Sequence, residues 1–165
     1  MNPFDIKAAL LAKHAQHVVL IHFPIALFIA GVVFDFLAQK TKKRGLLEAA
    51  YYNLLGAAIF ALPAVVTGIL AWQLQLEQKL KGILLMLVVL GSTSTILIWV
   101  AWALHVRARR QWPKELPVFR LVLETAAVLI VGLTGHLGGF LSGVNGPQLV
   151  LFGLIPEPFA APNIL

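Results

Sequence analysis

Four stretches of this chain run without charge for long enough to cross a bilayer: His14 to Phe34, Ala49 up to Glu77, Gly82 to Val106, and Thr125 to Pro156. A hydrocarbon core about 30 Å thick demands roughly 20 apolar residues of helix, and each stretch supplies them. Only 12% of the residues are charged and 59% are hydrophobic, whereas a soluble domain carries about 25% charged residues. The expected fold is all-α: an integral membrane four-helix bundle, antiparallel and up-and-down because the connections are short. The expected spans are about 17–39, 46–74, 81–105 and 117–142, with 143–165 as a tail on the outer side, all within one domain.

With lipid as solvent, several function classes fall away. The chain has no cysteine, which excludes disulfides, thiolate metal sites, iron–sulfur ligation and thiol attachment of c-type haem through its own side chains. The net charge of +6 is not a nucleic-acid signal, because the basic residues flank membrane spans and meet lipid headgroups. No cleaved leader is expected, since the basic-then-apolar-then-small order is missing from the N-terminal residues. No phosphate loop, nucleophile elbow or paired-carboxylate site is evident, so the chain is not expected to carry out bond-making chemistry by itself.

Charge asymmetry sets the expected orientation. Lys40, Lys42, Lys43, Arg44, Arg107, Arg109, Arg110, Lys114 and Arg120 fall around the first and third loops; Lys7, Lys13, Lys79 and Lys81 fall on the other side. Basic loops stay in the cytoplasm. Both termini are therefore expected outside, in the periplasm of a Gram-negative bacterium, with the bundle in the inner membrane.

Local punctuation refines this picture. Residues 1–16 read as an amphipathic lead-in on the lipid surface or as a frayed arm. Pro24 falls in the first turns of span one, Pro63 is expected to kink span two, and Pro117 suits a first helical turn. Gly56, Ala57, Ala58, Ala61, Ala64, Gly68 and Ala71 give span two a small-residue lining, read as close helix packing. Gly132, Gly135, Gly138 and Gly139 surround His136 in span four.

The histidines carry the functional question, because an ionisable residue inside a membrane is a functional-site candidate by default. His105 is expected as an interface anchor beside Arg107 and Arg109. His14, His17, His22 and His136 fall on the outer side. At 1.5 Å rise per residue, His22 lies roughly 7 Å and His136 roughly 9 Å below the outer boundary. Two imidazoles at matching depth on facing helices can give both axial ligands to a b-type haem, which needs no cysteine. In that reading His22 and His136 hold the iron, and Gly135, Gly138 and Gly139 clear the porphyrin. His17 supports or replaces a ligand, and Lys81 meets a propionate. Two plainer readings stand beside it. Each histidine donates a hydrogen bond to a carbonyl or to a hydroxyl such as Thr67 or Thr134, or the outer histidines build a copper or zinc site.

His17 and His22 are five residues apart, about 140° around a helix, so they do not form a one-face metalloprotease-type pair. Asp35 lies roughly 27 Å beyond His17 along the helix axis, at the inner interface. It is expected to pair with Lys or Arg of the basic loops, the functional alternative being proton access. Glu48 and Glu124 are placed at inner ends. Without an acid pair inside the spans, a proton-driven transporter is not supported. The four tryptophans are read as interfacial anchors.

His17-Val-Val-Leu-Ile-His22-Phe23-Pro24-Ile25-Ala26-Leu27, with Phe34-Asp35 after it, resembles the opening of a bacterial family of small four-span predicted membrane proteins of unknown function. Thr67-Gly68-Ile69-Leu70-Ala71-Trp72 and Gly135-His136-Leu137-Gly138-Gly139 resemble that family's second-span ending and last-span motif. Some relatives are joined to c-type cytochrome domains, so the resemblance implies an electron-transfer setting with redox partners of that kind. Many members carry a histidine at the start of the third span, where this chain has Lys81-Gly82; any ligand role of that histidine is lost here. The resulting expectation is a haem b-binding electron-transfer subunit linking the quinone pool to an outer-side redox partner. The alternative is a cofactor-free structural or anchor subunit of a larger membrane complex. Transport of a small solute or metal is a third class.

Overall fold

The computed structural model describes residues 13–75, 82–111 and 117–141. The amphipathic lead-in before residue 13, Lys81 and the tail after 141 lie outside the described residues. Four helices account for the rest: α1 (Lys13–Thr41), α2 (Arg44–Gln75), α3 (Ile83–Gln111) and α4 (Val118–Leu141). Each contains a segment long and apolar enough to cross a membrane: His17–Thr41, Arg44–Leu70, Ile83–Ala108 and Val118–Gly139. The described chain is all-helical, as the hydropathy pattern requires.

The helices outrun the apolar stretches. α1 begins at Lys13, and α3 continues through Arg107, Arg109 and Arg110 to Gln111. Hydropathy marks where side chains leave hydrocarbon, whereas the backbone ladder continues until a cap ends it. Basic side chains at a helix C-terminus also complement its dipole. α1 ends at a tight reversal: Lys42 takes φ 57° and its N–H donates to Ala38 O at 2.7 Å. That left-handed closing position usually belongs to glycine. Only Lys42 and Lys43 separate α1 from α2, which forces the two helices to pack antiparallel.

Each helix packs on its chain neighbours, and α4 returns against α1, with the most extensive contact between α1 and α2. The small residues explain that closeness. Ala50, Ala57, Ala58, Ala61 and Ala64 of α2 are buried. Gly31 of α1 lies so near Leu54 that an added Cβ would stand 2.9 Å from Leu54 Cγ, and Gly56 fits against Leu27 in the same manner. In lipid, such backbone approach supplies dispersion contacts that the hydrophobic effect does not. The core joins Phe28 and Val32 of α1, Leu54 of α2, Ile98 of α3 and Val131 of α4. Trp99 and Trp102 pack against this core and meet edge to face at 5.4 Å, so these two serve the interior as well as the interface. Val118, Phe119, Ile96 and Leu129 stand exposed on the perimeter, as lipid-facing residues do.

α2 continues as helix through Pro63. Thr67 Oγ1, one turn on, donates to Pro63 O and Ala64 O at 2.9 and 3.1 Å. Ser92, Thr93 and Thr95 likewise return their hydroxyls to carbonyls one turn back, at Val88, Val89 and Gly91. Ser94 instead reaches Thr134 Oγ1 at 3.0 Å and ties α3 to α4.

Candidate functional site

Asp35, His105, Arg120 and Glu124 are brought together from three helices and buried. Their placement follows from matched depth. Asp35 sits six positions before the end of α1, His105 six before the end of α3, and Glu124 six after the start of α4. At 1.5 Å per residue each lies roughly 9 Å inside its helix end. Arg120 stands one turn before Glu124, and its Nε donates to Glu124 Oε1 at 3.0 Å. Its Nη2 crosses to α1 and donates to Asp35 Oδ2 at 2.8 Å. A cation in the first turn of a helix opposes the helix dipole; two carboxylates offset that here.

His105 completes the set from α3. Its Nε2 lies 2.5 Å from Asp35 Oδ2 and 3.5 Å from Glu124 Oε1. Arg120 Nη2 also contacts both ring nitrogens, Nδ1 at 3.1 Å and Nε2 more closely. Ligating atoms of Asp35, His105 and Glu124 all fall within 4.8 Å of one another, a spacing that suits a metal ion. The Arg120 guanidinium already occupies that space as the compensating cation. Asp35 Oδ1 and Glu124 Oε2 are buried without a hydrogen-bond partner among the described residues.

Two sequence expectations change here. His105 is 5% exposed and lies inside the bundle, so it is not an interface anchor. An acid pair does exist within the spans, because Asp35 and Glu124 converge on Arg120, which hydropathy had assigned to a basic loop. The expected pairing of Asp35 with a basic residue of that region is present as Asp35–Arg120.

The outer histidines are arranged differently. His17 faces α2: its Nδ1 lies 3.0 Å from Thr67 Oγ1, and its ring rests on Gly68, where an added Cβ would meet Cε1 at 3.0 Å. This is the hydroxyl-bonded arrangement of a packed membrane histidine. His22 and His136 are level with one another, because Ile25, one turn from His22, packs on Gly135, where an added Cβ would lie 3.5 Å from Ile25 Cδ1. Both rings are exposed. His22 Nδ1 donates to Val18 O at 2.5 Å within its own helix. The expected inward orientation is therefore not what α1 and α4 present, and a haem gripped by both rings inside the bundle does not fit. Gly135, Gly138 and Gly139 are half-buried. Gly138 adjoins Leu87 of α3 at ordinary contact distance, so it serves helix packing. The side chain of His14 lies outside the described residues.

A family model of predicted membrane proteins of unknown function, DUF2231, matches residues 13–146. The chain belongs to this family. The match spans all four helices and includes both the buried four-residue set and the outer histidines. Neither a curated protein nor a solved structure matches the chain.

Proposed function

We propose that this family member is a structural subunit of a larger membrane assembly, a cofactor-free bundle that docks a partner in the bilayer along the outward flank of α1 and α4. One observation carries the reading. His22 and His136 stand exposed at the same level, on helix faces otherwise given to apolar residues such as Val19, Phe23, Leu129 and Leu133. Ionisable side chains within a membrane are costly against lipid and almost always face protein or a water-filled cavity. A partner subunit laid on this flank supplies that protein. Most of the basic residues flank the α1–α2 and α3–α4 connections, which favours a cytoplasmic location for that end and a periplasmic one for the termini in a bacterial inner membrane.

A second reading has one observation in its favour. A carbonyl only accepts, so His22 donates from Nδ1 to Val18 O, which leaves Nε2 as the ring nitrogen that could meet a metal. That is the tautomer of a metal-ligating imidazole whose other nitrogen is fixed by the backbone. In this reading the chain is a haem b-binding electron-transfer subunit between the quinone pool and an outer-side partner such as a c-type cytochrome. In that case His22 would be the residue of this chain that holds the haem. Bound haem supplies one-electron transfer; this chain's part is to ligate and orient it.

One preparation separates the readings. The full chain is isolated in mild detergent from haem-replete membranes, with photo-crosslinking residues at exposed positions 19 and 133, which leave both histidines in place. A colourless complex with a discrete crosslinked partner supports the structural subunit. A b-type absorption band that disappears in His22→Ala supports the haem reading. A colourless monomer without crosslinks at either position contradicts both.

A further inference from the structure

The His105 ring lies between two partners of opposite kind. Asp35 Oδ2, as a carboxylate oxygen, only accepts, and Arg120 Nη2 only donates. The neutral ring with its proton on Nε2 serves both: Nε2–H donates to Asp35 Oδ2, and the Nδ1 lone pair accepts from Arg120 Nη2 at 3.1 Å. A second proton, on Nδ1, keeps the bond to Asp35 and gives up the one from Arg120. The set thus has two hydrogen-bonding arrangements that differ by a proton on Nδ1. Charge counting agrees: two carboxylates against one guanidinium leave one negative charge uncompensated among side chains that are 5% exposed or less. One added proton removes it, and a buried uncompensated charge is expensive. The orphaned Asp35 Oδ1 and Glu124 Oε2 are further acceptors within the same set.

We propose that Asp35, His105, Arg120 and Glu124 form an intramembrane proton-binding centre that takes up and releases one proton per chain. On uptake an N–H bond forms at His105 Nδ1, with the proton drawn from water; on release it returns to water, and no electron moves. The charged groups around the ring come from α1 (Asp35) and α4 (Arg120, Glu124). The ionisable residues of α2 toward this end are Arg44, Glu48, Tyr51 and Tyr52, all exposed or half-buried. Because Asp35 belongs to the α1–α2 hairpin and its three partners to α3 and α4, the proton decides whether His105 keeps the bond within its own hairpin beside the one across the hairpins. The centre is separate from the α1–α4 flank, and its operation does not depend on what docks there.

The test uses the full chain in lipid nanodiscs with 15N-labelled histidine. Variants His14→Ala, His17→Ala, His22→Ala and His136→Ala leave the buried set untouched and assign the His105 resonances by elimination. The expected result is one transition of the His105 ring nitrogens with pH, accompanied by uptake of one proton that is absent in Asp35→Asn. Glu124→Gln provides the same loss of uptake if Asp35→Asn does not fold. Ring nitrogens that stay in one state over the whole pH range in which the helices persist would overturn the proposal. So would a shift of the same resonances by Zn²⁺ alone at fixed pH, which would make the set a metal site.

Discussion

Replacing Arg120 with methionine keeps a flexible apolar stem in place and removes the guanidinium that Asp35 and Glu124 share. Both carboxylates are fully buried and Arg120 is 2% exposed, so water does not take over the lost contacts. Removing one partner of a buried ion pair costs about 3–5 kcal/mol. Here two carboxylates lose the same partner, which places Arg120→Met at the upper end of that range. Asp35→Asn is the informative control. It leaves one carboxylate against one guanidinium, removes the excess negative charge, and turns the two charge-assisted hydrogen bonds from Arg120 and His105 into neutral ones, a loss of about 1–1.5 kcal/mol each. The double variant should cost less than the two singles combined, because both act on one contact. Equilibrium unfolding in mixed micelles reads these differences through tryptophan fluorescence, since Trp99 and Trp102 pack against the core. An Arg120→Met protein within about 1 kcal/mol of the parent, or more stable than Asp35→Asn, would refute a shared buried counter-ion.

Four further outcomes follow from single contacts. Gly31→Ala forces a methyl group to 2.9 Å from Leu54 Cγ in the tightest helix pair, and should cost about 1–3 kcal/mol in the same unfolding assay. Lys42→Gly relieves the left-handed backbone at φ 57°; after the entropy glycine adds to the unfolded chain, a gain of about 0.5 kcal/mol is expected. Thr67→Val removes the His17 hydroxyl contact at 3.0 Å, for a loss of about 0.6 kcal/mol, the usual scale of an interhelical hydrogen bond in lipid. Gly135→Ala meets only an ordinary contact with Ile25 and should leave the unfolding midpoint unchanged, so any change it makes in crosslinking at positions 19 and 133 reports the flank.

The spans and the alanine lining of α2 are legible in the sequence because hydropathy and residue size act locally. The level match of His22 and His136 is legible too, from helix rise alone. Their outward direction depends on which face of each helix is buried, and that is set by tertiary partners. His22 is six residues from buried Phe28, roughly 120° around the helix, and His136 is five from buried Val131, roughly 140° around. The four-residue set is hidden in the sequence because Asp35 and Glu124 border charge-free runs, Arg120 stands one turn outside one, and His105 lies two residues before Arg107, so each reads as an end-of-span residue when taken alone. The equal depth of Asp35, His105 and Glu124, six positions inside their helix ends, needs ends that hydropathy does not give; the signal legible in the sequence is the one-turn spacing of Arg120 and Glu124.

The chain has no cysteine, so single cysteines for spin labels can be placed without altering any native thiol. Labels at positions 22, 136 and 127 in the isolated protein, reconstituted in lipid, measure collision with dissolved oxygen, which concentrates in the hydrocarbon. Labels at 22 and 136 should collide freely and lose that access when the native membrane assembly is labelled, while a label replacing buried Ala127 should stay shielded throughout. Shielding of positions 22 and 136 in the isolated chain would place those histidines inside the bundle and contradict the outward flank on which the proposed assembly rests.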